Sequence, residues 1–331
     1  MSVYAWDAVK DSIYSQARRA NVTLPQDLFY SQSFFGKDSV GTSLRFFRGV
    51  DVEHRSCLLI ASADATLLCD VLSTEFLGGA GKFSLAYLNT NYSEVERCPI
   101  NDAKQLSKIS AQLKKRSKAA QRLNAAISNW KSAIDLMKAE KYVFVSFDIE
   151  TYEMDHRIIL ELGWSMYDSK MKKFLDQHYI NSAYRSLSNG RFVDDQKLRF
   201  LFGVSVWATL DQMLREFRMD LDWCVKRDGG YILIGHGIES DINFLKKQSF
   251  KWPSLALPGP GTLDVKESAF VAILDTETIY GAHCKELGNT ASLGRALDSL
   301  KIDSWCLHNA GNDAHYTMEL FLQLCKLTPP P

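Results

Sequence analysis

Several features that mark membrane and secreted proteins are missing from this sequence of 331 residues. No stretch approaches the roughly 18 consecutive apolar residues of a transmembrane helix, and residues 1–21 have no apolar core of the signal-peptide type. The seven cysteines are odd in number and include no Cys-x-x-Cys pair, which argues against a disulfide framework and a zinc site. We therefore expect an intracellular protein with reduced thiols and no membrane partner. The expected compartment is the cytoplasm or the nucleus, and the mitochondrion is the alternative.

The chain also lacks net charge, so its overall charge gives no indication of a nucleic-acid partner. The two halves differ slightly. Residues 1–140 carry 18 basic and 14 acidic residues, a balance of +4, and residues 141–331 carry 21 and 25, a balance of −4. A cation site in the acidic half beside a basic half would suit a polyanionic substrate, although so small a difference is weak support.

The composition, with 46% hydrophobic and 24% charged residues, is that of a soluble globular protein, and the length predicts two domains. Residues 1–100 predict a small α+β domain of unknown role. Its predicted elements are helices at 6–20 and 66–76 and strands at 43–50, 56–61 and 82–87. The glycine-rich segment 78–81 is interpreted as a turn, because no Lys-Ser or Lys-Thr follows it as in a phosphate loop.

Residues 101–140 predict one long, basic amphipathic helix. Apolar residues recur at heptad spacing, without Pro or Gly, and only Arg116 interrupts them. The repeat would suit a coiled-coil arm, and hence a homodimer through residues 103–138, or an amphipathic helix lying across the domains, which we favour. The first half of the helix is crowded with basic residues: Lys104, Lys108, Lys114, Lys115, Arg116, Lys118 and Arg122. They form either a solvated polar face or a surface for a phosphate backbone.

The second half of the chain is organised around the stretch VFVSFDIE, residues 143–150. Its apolar run predicts a strand buried on both faces. Asp148 and Glu150 are two residues apart, so their side chains point to the same side at the end of this strand. They are either solvated in a polar turn or form half of an oxygen-ligand site for a divalent cation, since two carboxylates this close repel unless a positive charge lies between them.

Further acids are predicted at the edge of the same sheet. Asp241 would lie in the first turn of a helix capped by Ser240, where open α/β sheets place ligands. Asp313 would begin the last long helix, with His308 in the loop before it. The predicted elements of residues 141–326 are strands at 143–150, 158–167, 173–180, 231–234 and 271–274, the first three forming an antiparallel meander, and helices at 206–222 and 292–300. A disordered tail, 327–331, would follow.

Four carboxylates and one histidine suit one chemistry. The acids would hold two Mg²⁺ or Mn²⁺ ions, which stabilise the attacking and leaving oxygens in phosphodiester hydrolysis. The histidine would take a proton from the attacking water.

These residues carry a family resemblance. The segments DIET (148–151), LELG (160–163), GHGIESDINFL (235–245), LDT (274–276) and HNAGNDA (308–314) resemble the exonuclease motifs of the DEDDh superfamily over residues 141–326. The resemblance implies an RNase H-like fold, a mixed five-stranded sheet flanked by helices, and a 3′→5′ exonuclease that releases nucleoside 5′-monophosphates. It implies Asp148, Glu150, Asp241 and Asp313 as the ligands of two Mg²⁺ or Mn²⁺ ions and His308 as the general base.

The resemblance also implies that Thr151 and Tyr152 lie against the terminal nucleotide, where Tyr152 would stack on a base. Tyr152 and Glu153 follow Thr151, which departs from many relatives. The expected partner is the 3′ end of single-stranded nucleic acid, with RNA modestly favoured. A DNA exonuclease of repair or proofreading, or a non-enzymatic module binding a protein or nucleic acid, are the alternatives.

Other polar residues are interpreted as structural. His236 would support a turn, His315 would lie on a helix surface, and Asp275 would orient a turn rather than bind metal, while Asp264 lies near a loop. Tyr231 and Trp252 are predicted in the core.

Overall fold

A computed structural model describes residues 2–31, 33–36, 39–78, 81–86, 88, 91–254 and 269–330. The chain divides into two compact units, residues 1–124 and 125–331. Asp264 and most of the Pro/Gly-rich loop around it lie outside the described residues. Within the described residues, no helix is long and apolar enough to cross a membrane, and all seven cysteines are free.

The first unit is built on a four-stranded sheet with strand order β1-β3-β2-β4, in which every pairing is antiparallel. Its strands are β1 (Val3–Ala5), β2 (Phe46–Val50), β3 (Ser56–Ala61) and β4 (Ser93–Arg97), and its helices include α1 (Trp6–Arg19), α2 (Val40–Ser43) and α3 (Ser62–Leu77). The core centres on Trp6, whose ring meets Phe29 and Phe46 edge-on at centroid distances of 5.3 and 5.2 Å. The predicted α+β character is therefore present.

The strand predicted at 82–87 is wrong for residues 82–86, and Tyr87 lies outside the described residues. Phe83 donates its N–H to Ser73 Oγ, and Ser84 donates its N–H to Gln16 Oε1. Because side chains satisfy these amides, the segment needs no neighbouring strand. The predicted strand 43–50 is shorter than expected, since its first residue belongs to α2.

The long helix is α4 (Ala103–Lys138). Its buried residues fall into two groups, with none between positions 114 and 125. Leu106 and Leu113 join the core of the first unit, whereas Trp130 is buried in the second unit and donates its indole N–H to the carbonyl of Leu324 at 2.9 Å. A stripe broken in this way favours an amphipathic helix over a continuous coiled-coil seam.

The second unit contains a six-stranded sheet with strand order β10-β9-β5-β6-β7-β8. Its strands are β5 (Val143–Tyr152), β6 (Asp155–Asp168), β7 (Lys173–Asn181), β8 (Ser205–Ala208), β9 (Tyr231–Gly235) and β10 (Phe270–Asp275). Strands β5, β6 and β7 are antiparallel as predicted, while β9 runs parallel to β5 and β10. The predicted mixed sheet is confirmed, with one strand more than the five expected.

The additional strand is β8, which pairs in parallel with β7. We predicted that a helix would begin at 206, but residues 205–208 are extended. The helix begins at Leu210, after a capping box in which Thr209 and Gln212 bond reciprocally to each other's backbone N–H. This cap sets the helix start four residues later than the hydrophobic period alone indicates.

Helices cover the sheet of the second unit. They are α5 (Leu210–Asp228), α6 (Glu239–Lys247), α7 (Thr276–Cys284), α8 (Leu293–Ser299) and α9 (Ala310–Lys326). Tyr231 and Trp252 are buried as predicted. Helix α9 packs on the central strands, where Phe321 meets Phe144 at 5.3 Å between ring centroids and Ser146 Oγ donates to the carbonyl of Ala314.

Candidate active site

Strand β5 carries the first two acids of the site. In the antiparallel ladder with β6, Asp148 lies opposite Gly163 and Glu150 lies opposite Glu161. Alternation along the strand places the side chains of Asp148 and Glu150 on the same face. The residues before them are fully buried, so the two carboxylates lie at the end of a rigid core strand.

Helix α9 brings Asp313 to this face, and Gly163 permits its close approach. A Cβ atom at Gly163 would lie 2.3 Å from the carbonyl carbon of Ala310 and from the nitrogen of Gly311, so only glycine fits here. Asn309 caps the helix, its side chain accepting the N–H of Asn312. The first turn of α9 is thereby fixed against β6, with Asp313 in that turn.

Asp313 and His308 are linked directly. Asp313 Oδ2 accepts the backbone N–H of His308 at 3.0 Å, while the buried Oδ1 atom has no hydrogen-bond partner among the described residues. His308 has an exposed side chain and a φ of +67°. A non-glycine residue in this region costs about 1–3 kcal/mol, and such strain is typical of functional sites.

Asp241 comes from the first turn of α6, as predicted, although the predicted cap is wrong. The N-cap residue is Ile238, without a side-chain hydrogen bond, and Ser240 lies inside the helix. Gly237, with a φ of +72°, makes the turn from β9 that allows this early start. Asp241 accepts the backbone N–H of Ile149, the residue between Asp148 and Glu150 in β5. This hydrogen bond places Asp241 beside β5.

The raised pKa values of the four carboxyl groups indicate that these groups lie close to one another. Burial, together with Asp241, Asp313, Glu150 and Glu161, raises the pKa of Asp148 well above its ordinary value. Burial, together with Asp313, Glu161 and Asp241, raises the pKa of Glu150 to about 9. Burial also raises the pKa values of Asp241 and Asp313 to about 7. So many buried acids without a cation are costly in their ionised form.

The arrangement fits a divalent cation. Ligand atoms of Glu150, His308 and Asp313 lie within 4.8 Å of one another. Hard cations such as Mg²⁺ and Mn²⁺ prefer carboxylate oxygens, and the buried Asp313 Oδ1 offers a lone pair that no group in the described part of the chain takes. Glu150, His308 and Asp313 are placed so that they could hold an ion together, and Asp148 and Asp241 lie close enough to this group to interact with its charges.

Thr151 and Tyr152, which we predicted to contact the substrate, lie at the end of β5 and are half-buried. Thr151 Oγ1 lies 3.0 Å from His156 Nδ1, and the Thr151 carbonyl accepts a hydrogen bond from Asn189. Both residues directly follow Glu150. Their contact with a terminal nucleotide stays a prediction.

Sequence reasoning missed the polar network that supports the site. Glu161 is buried, and its Oε2 accepts from Ala310 N and lies 2.9 Å from Nε2 of the fully buried His178. Asn312 is also buried; it accepts the N–H of Leu201 and donates to the carbonyl of Cys306. Glu161 belongs to the motif LELG and Asn312 to the motif HNAGNDA. A polar residue within an apolar strand or a motif was therefore the sequence signal that could have identified them.

Two of the structural interpretations are confirmed and one is wrong. His236 Nδ1 lies 3.0 Å from Thr276 Oγ1 at a turn, and Asp275 accepts the N–H of Gly237, so both orient turns. His315 was predicted on a helix surface but is buried. Its Nδ1 lies 2.9 Å from Asp176 Oδ1, because the first half of α9, residues 310–318, is buried on all sides.

Comparison with known proteins agrees with this geometry. The family model described as DNA polymerase III subunit epsilon-like, C-terminal domain, DEDDh type, matches residues 143–324, more than half of the chain. The chain belongs to the DEDDh exonuclease superfamily. The RNase H-like fold expected for such a DEDDh domain agrees with the mixed sheet and its flanking helices.

The chain is also similar to three fungal proteins. It is 32% identical over 207 residues to an uncharacterized Saccharomyces cerevisiae protein, YDR514C, covering 58% of this chain and 42% of that protein. It is 29% identical over 216 residues to the Good for full DBP5 activity protein 2 of the same yeast, covering 58% and 37%. The third is an uncharacterized nucleolar protein of Schizosaccharomyces pombe, C2C4.08, at 31% over 187 residues, covering 55% and 68%. The chain thus spans less than half the length of the two budding-yeast relatives.

Proposed function

We propose that this DEDDh-family protein is a metal-dependent 3′→5′ exonuclease acting on single-stranded nucleic acid, with RNA favoured, and that it releases nucleoside 5′-monophosphates. One observation carries the proposal. Two acids from β5, one from α6 and one from α9 meet in a single buried cluster, with His308 beside them. A structural role for so many buried acids would require cationic side chains among them, whereas the pKa of Asp148 is raised by burial and by neighbouring groups that are all acids.

Each residue has a role in this proposal. Asp148, Glu150, Asp241 and Asp313 hold two Mg²⁺ or Mn²⁺ ions. The ions, when bound, supply stabilisation of the attacking and leaving oxygens. A ring nitrogen of the exposed His308 accepts a proton from the attacking water, and the Asp313–His308 backbone bond fixes the distance between base and ligand. Thr151 and Tyr152, which directly follow Glu150, would contact the terminal nucleotide.

The preference for RNA is supported only indirectly. One relative is named as a nucleolar protein, which is consistent with an RNA substrate. The 2′-hydroxyl would distinguish RNA from DNA at a site, and Thr151 with its neighbour His156 offers polar atoms at the entrance. A DNA substrate is therefore an outcome that the experiment has to separate.

The test is a time course on 5′-labelled single strands of RNA and DNA of one sequence, with Mg²⁺ or Mn²⁺ and with EDTA. We expect a ladder that shortens from the 3′ end, faster with RNA. Asp148→Asn and Asp313→Asn should abolish turnover while leaving the far-UV circular dichroism unchanged. Intact substrate under every metal condition would contradict the proposal and favour a binding module, whereas near-normal activity of either variant would contradict the assigned roles.

Two expectations about α4 remain proposals. Its basic residues at positions 104–122 are all exposed, which suits contact with a phosphate backbone. A homodimer through residues 103–138 would have to form through the exposed residues of α4, because Leu106, Leu113 and Trp130 are buried within the chain. The solution mass measured by light scattering decides whether the dimer forms.

A further inference from the structure

A loop between β7 and β8 is fastened to the segment that follows the catalytic strand. Asn189 donates to the carbonyl of Thr151 and accepts the N–H of Glu153, both at 2.9 Å. The Glu153 carboxylate in turn accepts the backbone N–H groups of Arg191 at 2.8 Å and Phe192 at 3.0 Å. Charge-assisted bonds of this kind are strong, so the loop is held where Glu153 places it.

This fastening places the loop beside the site. Glu153 follows Glu150 by three residues, and an extended chain rises about 3.3 Å per residue, so the anchoring residue of the loop lies at most about 10 Å along the backbone from Glu150. Thr151 and Tyr152 fill the interval. The loop therefore lies beside the segment 151–153 that follows the acids of β5.

The loop exposes an unusual set of side chains. Phe192 is 71% exposed and Met154 is 54% exposed. Arg191 lies between them, its guanidinium 5.3 Å from the Phe192 ring centroid and 3.8 Å from the sulfur of Met154. These three residues form one surface, the Met154–Phe192 patch. Among the described residues, no carboxylate lies within ion-pair distance of the Arg191 guanidinium.

An aromatic face with an adjacent cation suits one class of occupant. Nucleobases stack on exposed aromatic rings, and arginine contributes through its charge and its planar group to binding of the strand. A cation without a carboxylate partner complements the charge of a phosphate. The patch is also continuous with the end of β5, from which the substrate-facing residues come.

We propose that the Met154–Phe192 patch binds a nucleotide upstream of the scissile bond, with its base stacked on Phe192 and a phosphate near Arg191. This rests on the proposed exonuclease function. Stacking of this kind requires an unpaired base, so the patch would also favour single strands over the ends of duplexes. Phe192 is a specificity residue here, not a catalytic one.

The test compares two labelled oligonucleotides of one sequence, one intact and one with abasic residues at the second and third positions from the 3′ end. In kcat/KM for release of the first nucleotide, Phe192→Ala should lose roughly 5- to 150-fold on the intact strand. The loss should appear mainly in KM, because the contact is remote from the reacting atoms. On the abasic strand, Phe192→Ala should match the unmutated protein, and Phe192→Trp should retain activity on both.

Val204→Ala is the matched control, since Val204 lies in the same connection and is 83% exposed. It should leave both rates unchanged, and the melting temperature of each variant should equal that of the unmutated protein. Equal cleavage of the intact strand by the unmutated protein and by Phe192→Ala would overturn the inference. The proposed exonuclease function would not be affected by that result. Equal losses on both strands also overturn it, because Phe192 would then act through loop structure. Failure of the unmutated protein to cleave either strand refutes both proposals.

Discussion

Replacing Asp313 by Asn should stabilise the metal-free protein, although it removes a residue of the site. Asp313 is buried among Asp148, Glu150 and Glu161, and burial together with Glu161 raises its pKa from 3.8 to about 7. The folded state therefore resists the ionisation that the unfolded state accepts. Asparagine keeps the shape of the side chain and can still accept the His308 N–H, but it never carries the charge.

The size and the pH dependence follow from linkage. The pKa of Asp313 is higher in the folded state than in the unfolded state. The contribution of protonated Asp313 to the free energy of unfolding is therefore fully present below about pH 4 and is lost as the pH rises to about 7. The loss levels off near 4 kcal/mol, at 1.36 kcal/mol for each unit of pKa. Between pH 5.5 and pH 8 the part of the loss still to come is about 2 kcal/mol by the same relation. Asp313→Asn should gain that difference relative to the unmutated protein.

The assay is urea unfolding in EDTA, followed by circular dichroism, at the two pH values. Any pH-independent effect of asparagine cancels in the comparison. Asp298→Asn, which removes an exposed acid from α8, is the control and should show no pH-dependent gain. A free-energy difference between Asp313→Asn and the unmutated protein that stays constant or shrinks from pH 5.5 to pH 8 would refute the reasoning.

Addition of Mn²⁺ should reverse the order of stability. A ligand that binds only the folded state stabilises it by about 2.7 kcal/mol at a hundredfold excess over its dissociation constant. The unmutated protein should gain this and release protons on binding, since the raised carboxyl pKa values must fall when a cation arrives. Asp313→Asn should gain little. A melting temperature of the unmutated protein that ignores Mn²⁺ would contradict the metal site itself.

Three further substitutions test the framework around the site. Gly163→Ala should cost about 1–3 kcal/mol by overpacking and displace Asp313, because the new Cβ would meet the backbone of α9 at 2.3 Å; Gly81→Ala, with its nearest atom at 3.9 Å, is the control in denaturant unfolding. Asn312→Ala should cost about 1–3 kcal/mol, since it leaves the Leu201 N–H without its acceptor, and equal stability would contradict this. Trp130→Phe should lower the melting temperature by removal of the bond to Leu324, whereas Trp305→Phe, at 63% exposure, should not.

Elements with a strong local pattern could be predicted from the sequence, and elements decided by pairing could not. The strand at 143–150 has a continuous apolar run that only a buried position explains, and its two acids follow by alternation. Strand β8 has only four residues, and its extended form depends on parallel pairing with β7. The capping box of Thr209 and Gln212 was the local signal that could have separated β8 from the helix that follows.

The site followed the same division. Asp148, Glu150, Asp241, His308 and Asp313 could be named because short motifs mark them, but their supporting partners come from distant segments. The partner of His315 is Asp176, which is 139 positions away in the sequence. No local pattern around His315 indicates this contact. The pairing of Glu161 with His178 is hidden for the same reason, since burial of a polar residue becomes visible only when its partner is known.

Glu153 shows what a departure from a family pattern can mean. At the sequence level this residue is only a change next to the first motif. In the structure its carboxylate binds the backbone amides of the loop that exposes Arg191 and Phe192. Hydrogen bonds that an ionised carboxylate accepts are roughly twice as strong as those between neutral groups. Glu153 therefore anchors this loop, so a residue that stands out in the sequence only as a departure from the family pattern has a structural role next to the first motif.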